Sequence, residues 1–94
     1  MSKKLTKITE EIIFVFNEHK LLILKELYEC KDEVCGCDLV DSIGITKDLL
    51  SYHIRSLRER EYIEEVKCGQ RKKYSITKTK LPLVKEILRT ARLI

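Results

Sequence analysis

The sequence lacks three features, each of which would point to a different class of protein. No apolar run approaches the roughly 20 residues of a membrane-spanning helix. The two histidines, His19 and His53, form neither a His-rich metal cluster nor part of a nucleophile, base and acid arrangement. No internal repeat, low-complexity tract or linker interrupts the chain. These absences argue against a membrane protein, an enzyme and a repeat protein, and we expect one domain over residues 1–94.

We expect no secretory leader, because Met1 is followed by a charged segment and not by an apolar one. We therefore expect a cytoplasmic protein. In that compartment the four cysteines are reduced and available for metal or redox chemistry. We expect no cofactor to be required for folding.

The net charge of +4 hides a strong asymmetry along the chain. Residues 1–66 carry ten Lys and Arg against fourteen Asp and Glu, whereas residues 67–94 carry nine against one. A basic segment of this kind is attracted to phosphates. A run of Lys and Arg is equally typical of an exposed, solvated surface, so charge alone leaves both interpretations open.

Hydrophobic periodicity predicts a mainly α protein with one β-hairpin, in the order α-α-α-α-β-β-α. The third helix ends at Gly44, and Thr46 caps the fourth. Over residues 62–76 the period changes to two around a turn at Gly69, which predicts the hairpin. The helices are expected at about residues 5–16, 21–30, 36–43, 47–60 and 81–93.

This order is typical of a winged helix-turn-helix, with the helix-turn-helix at about residues 36–60 and the hairpin as the wing. The fourth helix buries one apolar face and leaves polar side chains free to meet DNA. The basic wing suits a phosphate backbone. The residues predicted to contact DNA are Lys47, Asp48, Ser51, Tyr52 and Arg55 on the helix, and Arg71, Lys72 and Lys73 on the wing.

A pair of cysteines precedes the helix-turn-helix. Cys35 occupies the N-cap position of the third helix, where Ser or Thr would cap better. The helix N-terminus lowers the pKa of its thiol, which favours a thiolate that binds soft metals or reacts with oxidants. Residues two apart in a regular helix project about 200° from each other, so we expect Cys35 and Cys37 to share one ion only if the first turn distorts. The alternative is that both are small, partly buried residues without a sensing role.

Further ligands for such an ion are few. Trivalent arsenic or antimony favours three sulfurs, and zinc or cadmium commonly takes four ligands. Cys30 is the nearer thiol to the pair, although its helical spacing also fits a core residue. Cys68, at the wing turn, is expected to lie apart from the pair. We expect His53 to pack or to touch a phosphate and not to bind a metal.

From Lys20 to Ile76 the chain resembles the winged-helix repressors of the ArsR/SmtB family. The matching segments are residues 20–24, 33–39, 43–46, 51–57 and 69–74. Three positions depart from the family pattern. Asn17 begins a segment that replaces an Asp-Pro-Thr-Arg-like one, Glu61 stands where Gly or a small residue is expected, and Val40 replaces the third cysteine of the arsenite motif.

The resemblance implies a homodimeric repressor that binds a palindromic double-stranded DNA operator and uses its first and last helices for dimerisation. It also implies release by a thiophilic ion at Cys35 and Cys37, with Cys30 as the expected third ligand. The ion would be arsenite or antimonite, cadmium, lead or zinc. The alternatives are a regulator that responds to thiol oxidation, one that senses no ligand, and a winged-helix module that binds proteins.

Overall fold

The computed structural model describes residues 14–30 and 33–94. Phe14 and Val15 are helical, and the rest of the helix predicted at residues 5–16 lies outside the described residues or beyond this helical end. The elements that follow are α1 (Glu18–Glu29), β1 (Val34–Cys35), α2 (Gly36–Ile43), α3 (Lys47–Glu59), β2 (Ile63–Cys68), β3 (Arg71–Ile76) and α4 (Leu81–Thr90).

Two residues set the turn between α2 and α3, as predicted. Gly44 has a φ of 76°, the left-handed conformation that glycine adopts without steric cost, and it ends α2. The side-chain oxygen of Thr46 accepts a hydrogen bond from the amide of Leu49 at 3.2 Å, so α3 begins immediately afterwards. Helix α3 ends one residue earlier than predicted, and α4 ends at Thr90 and not at residue 93.

Two of the departures from the family pattern have clear structural roles. The side chain of Asn17 accepts hydrogen bonds from the amides of His19 at 3.0 Å and Lys20 at 3.2 Å, and so caps α1. Glu61 has a φ of 61° in the turn between α3 and β2. This is the region that favours glycine, which explains why glycine is expected at this position.

The predicted hairpin is confirmed, but it belongs to a three-stranded antiparallel sheet of order β1-β3-β2. The additional strand β1 pairs with β3, with Val34 opposite Tyr74 and Cys35 opposite Lys73. A strand of two residues is too short to show an alternating pattern, and only its pairing defines it. The predicted order of elements therefore lacked β1.

One hydrophobic core joins the helices to the inner face of the sheet. Helix α3 contributes Leu50, Ile54 and Leu57, the residues that periodicity predicted to be buried. Among the described residues, no helix is long and apolar enough to cross a membrane. The buried apolar residues are Val15, Ile23, Leu24, Leu27, Val34, Leu39, Leu50, Ile54, Leu57, Tyr62, Ile63, Tyr74, Val84, Ile87 and Leu88.

Candidate nucleic-acid interface and thiol pair

The outer face of α3 presents the side chains predicted to meet DNA. Tyr52 is the most open of the large ones, with 62% of its surface exposed. The opposite face of the helix lies in the core, so the two faces are separated as the helical period requires. Each predicted contact on this helix is exposed: Lys47, Asp48, Ser51, Tyr52 and Arg55. That these particular residues touch DNA stays a prediction.

The wing concentrates positive charge on β3 and on the end of β2. Arg71 and Lys72 are exposed, and Lys73 is half-buried. Lys67 lies directly opposite Lys72 across the hairpin. Like charges at directly opposed positions destabilise a hairpin, and an anion between them removes that repulsion. Contact of the wing with a phosphate backbone stays a prediction.

An ion pair connects α3 to the wing. Nη1 of Arg58 in α3 lies 3.3 Å from Oε1 of Glu65 in β2, and the Glu65 side chain is 12% exposed. Both residues line a groove between the helix and the strand, together with Arg55 and Glu64. The groove thus carries both signs of charge, and the cation of Arg58 is already paired with a protein carboxylate. Sequence reasoning did not predict this link.

His53 points from α3 into the protein and not toward a phosphate. It is 4% exposed, and its ring centroid lies 5.4 Å from that of His19 in α1. Burial lowers the pKa of His53, and the charges of Lys20 and His19 lower it further. Of its two expected roles, the structure supports packing.

Lys20 is a buried cation that the sequence did not reveal. It is 8% exposed, and its Nζ lies 4.2 Å from the centroid of the Phe14 ring. Contact with an aromatic face partly compensates a cation for its lost hydration. Burial nevertheless lowers the pKa of Lys20, and the charge of Arg60 adds to this effect. A lysine at the start of a helix carries no sequence signal of burial, because lysine is mostly exposed.

The sulfurs of Cys35 and Cys37 already lie together, 2.8 Å apart. Cys35 is the N-cap of α2, as predicted, but its backbone is extended, with φ −69° and ψ 142°. Only Cys37 is helical, so the angle of a regular helix does not apply to the pair. The two sulfurs therefore converge from an undistorted first turn, whereas the distortion expected when they share one ion stays a prediction.

The two thiols of the pair have pKa values that are shifted in opposite directions. The hydrogen bond with the Cys37 thiol is the main cause of the lowered pKa of Cys35, and the backbone amides of Cys37 and Asp38 at the start of α2 lower it further. The same hydrogen bond raises the pKa of Cys37, while the charge of Arg71 acts in the opposite direction. Cys35 is therefore the more acidic of the two thiols. Two converging sulfurs, one of them with a lowered pKa, fit a soft, thiophilic ion.

The other two cysteines lie elsewhere. Cys30 is the exposed C-cap residue of α1, so its interpretation as a core residue is wrong. Across residues 14–30 and 33–94, no group of three or more His, Cys, Asp or Glu side chains is arranged to hold a metal ion. The structure thus does not bring Cys30 to the pair, and its role as third ligand stays a prediction. The backbone of Cys68 lies opposite Arg71 at the end of the hairpin.

The pair is nevertheless attached to the wing through its backbone. Cys35 is the last residue of β1 and lies opposite Lys73, one of the predicted phosphate contacts. Cys35 is therefore both a sheet residue and the start of the helix that precedes α3. This shared position links the thiols to both parts of the predicted DNA interface.

Comparisons with known proteins agree with this geometry. Residues 17–65 match the family described as bacterial regulatory protein, arsR family. A segment of 65 residues is 29% identical to the arsenical resistance operon repressor of Staphylococcus xylosus. The alignment covers 69% of this chain and 62% of that repressor, so the chain spans less than two thirds of its relative's length.

Two solved structures show the same fold. The transcriptional repressor BigR from Xylella fastidiosa superposes with a TM-score of 0.81 at 22% identity, over 94% of this chain and 86% of that one. The AntR antimony-specific transcriptional repressor superposes with a TM-score of 0.78 at 19% identity, over 99% and 80%. At these identities the likeness shows a shared winged-helix fold.

Proposed function

Because this chain belongs to the arsR family of bacterial regulatory proteins, we propose that it is a transcriptional repressor released from DNA when a thiophilic ion binds Cys35 and Cys37. The family consists of regulators and not of enzymes. The observation that carries the proposal is the 2.8 Å separation of two sulfurs at the start of α2. They stand where an ion can act on both the wing and the helix-turn-helix.

In this proposal α3 enters the major groove and the wing lies along the phosphate backbone. The exposed side chains of α3 read base edges, with Tyr52 and Arg55 as the largest of them. Arg71, Lys72 and Lys73 neutralise phosphates without reading sequence. The repulsion between Lys67 and Lys72 supports this assignment, because a phosphate would relieve it.

The repressor is proposed to act as a homodimer on a palindromic operator. Large apolar side chains stand open on α4 and near both ends of the described chain, each between 39% and 43% exposed. They are Phe16, Leu81, Leu83 and Ile94. A second copy that covers them would place two α3 helices on successive half-sites of a palindrome.

The inducing ion is proposed to be arsenite or antimonite, with cadmium, lead and zinc as further candidates. The AntR repressor is antimony-specific and the Staphylococcus repressor belongs to an arsenical resistance operon, which favours the trivalent ions for this chain too. Trivalent ions prefer three sulfurs, so Cys30, a water molecule or a partner chain would supply the third ligand.

Duplex binding tests the DNA half of the proposal. The duplex upstream of the chain's own gene should bind with an affinity that falls steeply with salt, and an unrelated duplex should bind less tightly. A winged-helix module for protein partners would bind neither duplex in a salt-dependent manner. That result would overturn the repressor assignment.

Thiol variants test the ion half. Cys35→Ser and Cys37→Ser should bind the operator as well as the parent does, yet fail to dissociate when antimonite or arsenite is added. Cys68→Ser is the matched control and should remain inducible. If both variants of the pair remain fully inducible, the pair is structural and the sensing proposal is wrong, while DNA binding stands. Cys30→Ser then decides whether Cys30 is a ligand.

A second candidate function is supported by the same short distance. A thiolate at Cys35 beside a thiol at Cys37 can be oxidised to a disulfide by a hydroperoxide, which is reduced to an alcohol and water. Release experiments in a phosphine reductant, which prevents disulfide formation, distinguish the two functions. Release by antimonite in the reductant supports ion sensing, and release by hydroperoxide alone supports oxidation sensing.

A further inference from the structure

We propose that Tyr74 transmits the occupancy of the thiol pair to α3, by way of Glu65 and Arg58. The inference rests on the proposed function, because it concerns how the same pair controls DNA binding. It assigns a positioning role to a residue of the wing that touches neither the ion nor DNA. Three contacts connect the pair to the helix.

The first contact follows from the size of a bound ion. An ion held by two thiolates at about 2.3 Å, with a tetrahedral angle between them, keeps the sulfurs about 3.8 Å apart. In the structure the two sulfurs are 2.8 Å apart. Binding therefore closes a chelate ring through Gly36, which lies between the two cysteines, and constrains the backbone of that residue.

The second contact is between Gly36 and the ring of Tyr74. A Cβ atom built on Gly36 would lie 3.4 Å from Cε2 of Tyr74, at ordinary contact distance, so the ring lies beside this residue with no side chain between them. Tyr74 is also opposite Val34 in the sheet and is only 8% exposed. A buried ring between two strands and a helix start cannot move aside into solvent, so it has to shift when Gly36 shifts.

The third contact leads from the phenol to α3. Tyr74 lies directly opposite Glu65, and Glu65 accepts a hydrogen bond from Arg58 at 3.3 Å. Burial raises the pKa of Tyr74, and the charge of Glu65 and a hydrogen bond to it raise that pKa further. The phenol therefore stays protonated and donates to the carboxylate that holds Arg58.

Occupancy of the pair would thus pull the phenol away from Glu65 and loosen the ion pair that fixes α3 against the wing. The spacing between recognition helix and wing would then no longer match one operator site. By thermodynamic linkage, DNA that holds this spacing must weaken ion binding by the same factor.

The test is Tyr74→Phe, which keeps the ring and removes only the hydroxyl. Operator affinity is measured with and without antimonite, and antimonite affinity is measured on the free protein. In the parent we expect antimonite to weaken operator binding by about 10- to 100-fold. In Tyr74→Phe the contact that occupancy breaks is already absent, so the operator affinity without antimonite should fall toward that of the antimonite-bound parent, and the further weakening by antimonite should shrink to less than about threefold. The free variant should still bind antimonite at least as tightly as the parent does.

Tyr28→Phe is the matched control, because Tyr28 is half-buried on α1, away from this chain of contacts, and its variant should keep the full weakening. Glu65→Gln tests the next contact and should reduce the weakening as Tyr74→Phe does. If the three contacts act in series, the double variant should lose no more than either single one.

Full weakening in both Tyr74→Phe and Glu65→Gln would overturn the inference and leave the backbone pairing of β1 with β3 as the connection. A parent whose operator affinity does not change with antimonite would instead overturn the proposed function, and this inference with it. The two failures are therefore distinguishable by whether the parent itself responds.

Discussion

The N-cap residues of the two helices of the helix-turn-helix have nearly the same backbone conformation, but their side chains make different contacts. Thr46 before α3 has φ −73° and ψ 158°, and Cys35 before α2 has φ −69° and ψ 142°. The Thr46 hydroxyl accepts a hydrogen bond from an amide of its helix, whereas the Cys35 sulfur accepts none and lies against Cys37. One start stabilises its helix through a side-chain cap, and the other lacks such a cap and presents a thiol with a lowered pKa.

The contrast shows that a helix N-cap can serve reactivity at the expense of stability. Helix α3 has to hold several side chains in fixed directions toward DNA, so a stable start is useful there. Helix α2 is short, and its start carries both sulfurs of the pair. A start without a side-chain cap makes the first turn of α2 easier to change.

The largest expected effect concerns the helix with the stable start. Arg55→Ala should reduce discrimination between the operator and mismatched duplexes by about 1–3 kcal/mol, since a contact with a base edge is lost. Lys72→Ala on the wing should weaken all duplexes about equally and lower the slope of affinity against salt by about one unit. Competition binding at several salt concentrations measures both. Identical behaviour of the two variants would refute the division between helix and wing.

Thr46→Ala should lower the free energy of unfolding by about 1 kcal/mol, because the amide of Leu49 loses its acceptor. Urea denaturation measures the change. Thr46→Ser keeps the hydroxyl and is the control, with stability close to that of the parent. An alanine variant as stable as the parent would mean that the cap contributes nothing to α3.

Cys35→Ser is the corresponding change at α2 and should act in the opposite direction. The backbone is already extended at this position, so a serine hydroxyl can accept the amide hydrogen bond that the sulfur does not. We expect a higher midpoint of urea denaturation, by less than Thr46→Ala lowers it. Cys37→Ser, at the second helical residue and not at the N-cap, should leave the midpoint nearly unchanged. A lower midpoint for Cys35→Ser would show that the thiol pair itself stabilises the fold.

The smallest expected effect lies at the end of α3. Glu61→Gly should raise the free energy of unfolding by about 0.5 kcal/mol, because relief of the left-handed strain exceeds the entropy that glycine adds to the unfolded chain. Glu61→Ala keeps the strain and serves as the control. Equal stability of the two variants would show that the turn tolerates a side chain without cost.

Local signals accounted for much of this fold. Gly44 and Thr46 act over one turn, and the buried residues of α3 follow one helical period, so both could be predicted without tertiary information. The same holds for the exposed face of α3 and the hairpin around Gly69.

The sequence located the cysteines of the thiol site in the chain, but it could not predict their geometry. The direction of the Cys35 sulfur depends on the change from strand to helix after that residue, and the strand exists only because β3 lies beside it. The burial of Lys20 and the link from Arg58 to Glu65 are likewise contacts between elements far apart in sequence. Periodicity carries no information about such contacts.

The shared proton of the thiol pair sets how many protons an incoming ion displaces. Cys37 lowers the pKa of Cys35 while its own is raised, so between those two pKa values the pair carries one proton. A divalent ion such as cadmium, lead or zinc that takes both sulfurs as thiolates then releases a single proton, and its affinity should rise about tenfold per pH unit. Below the pKa of Cys35 two protons are released, and the rise becomes about a hundredfold. The acidity of the medium thus decides how sharply the pair responds to a given concentration of ion.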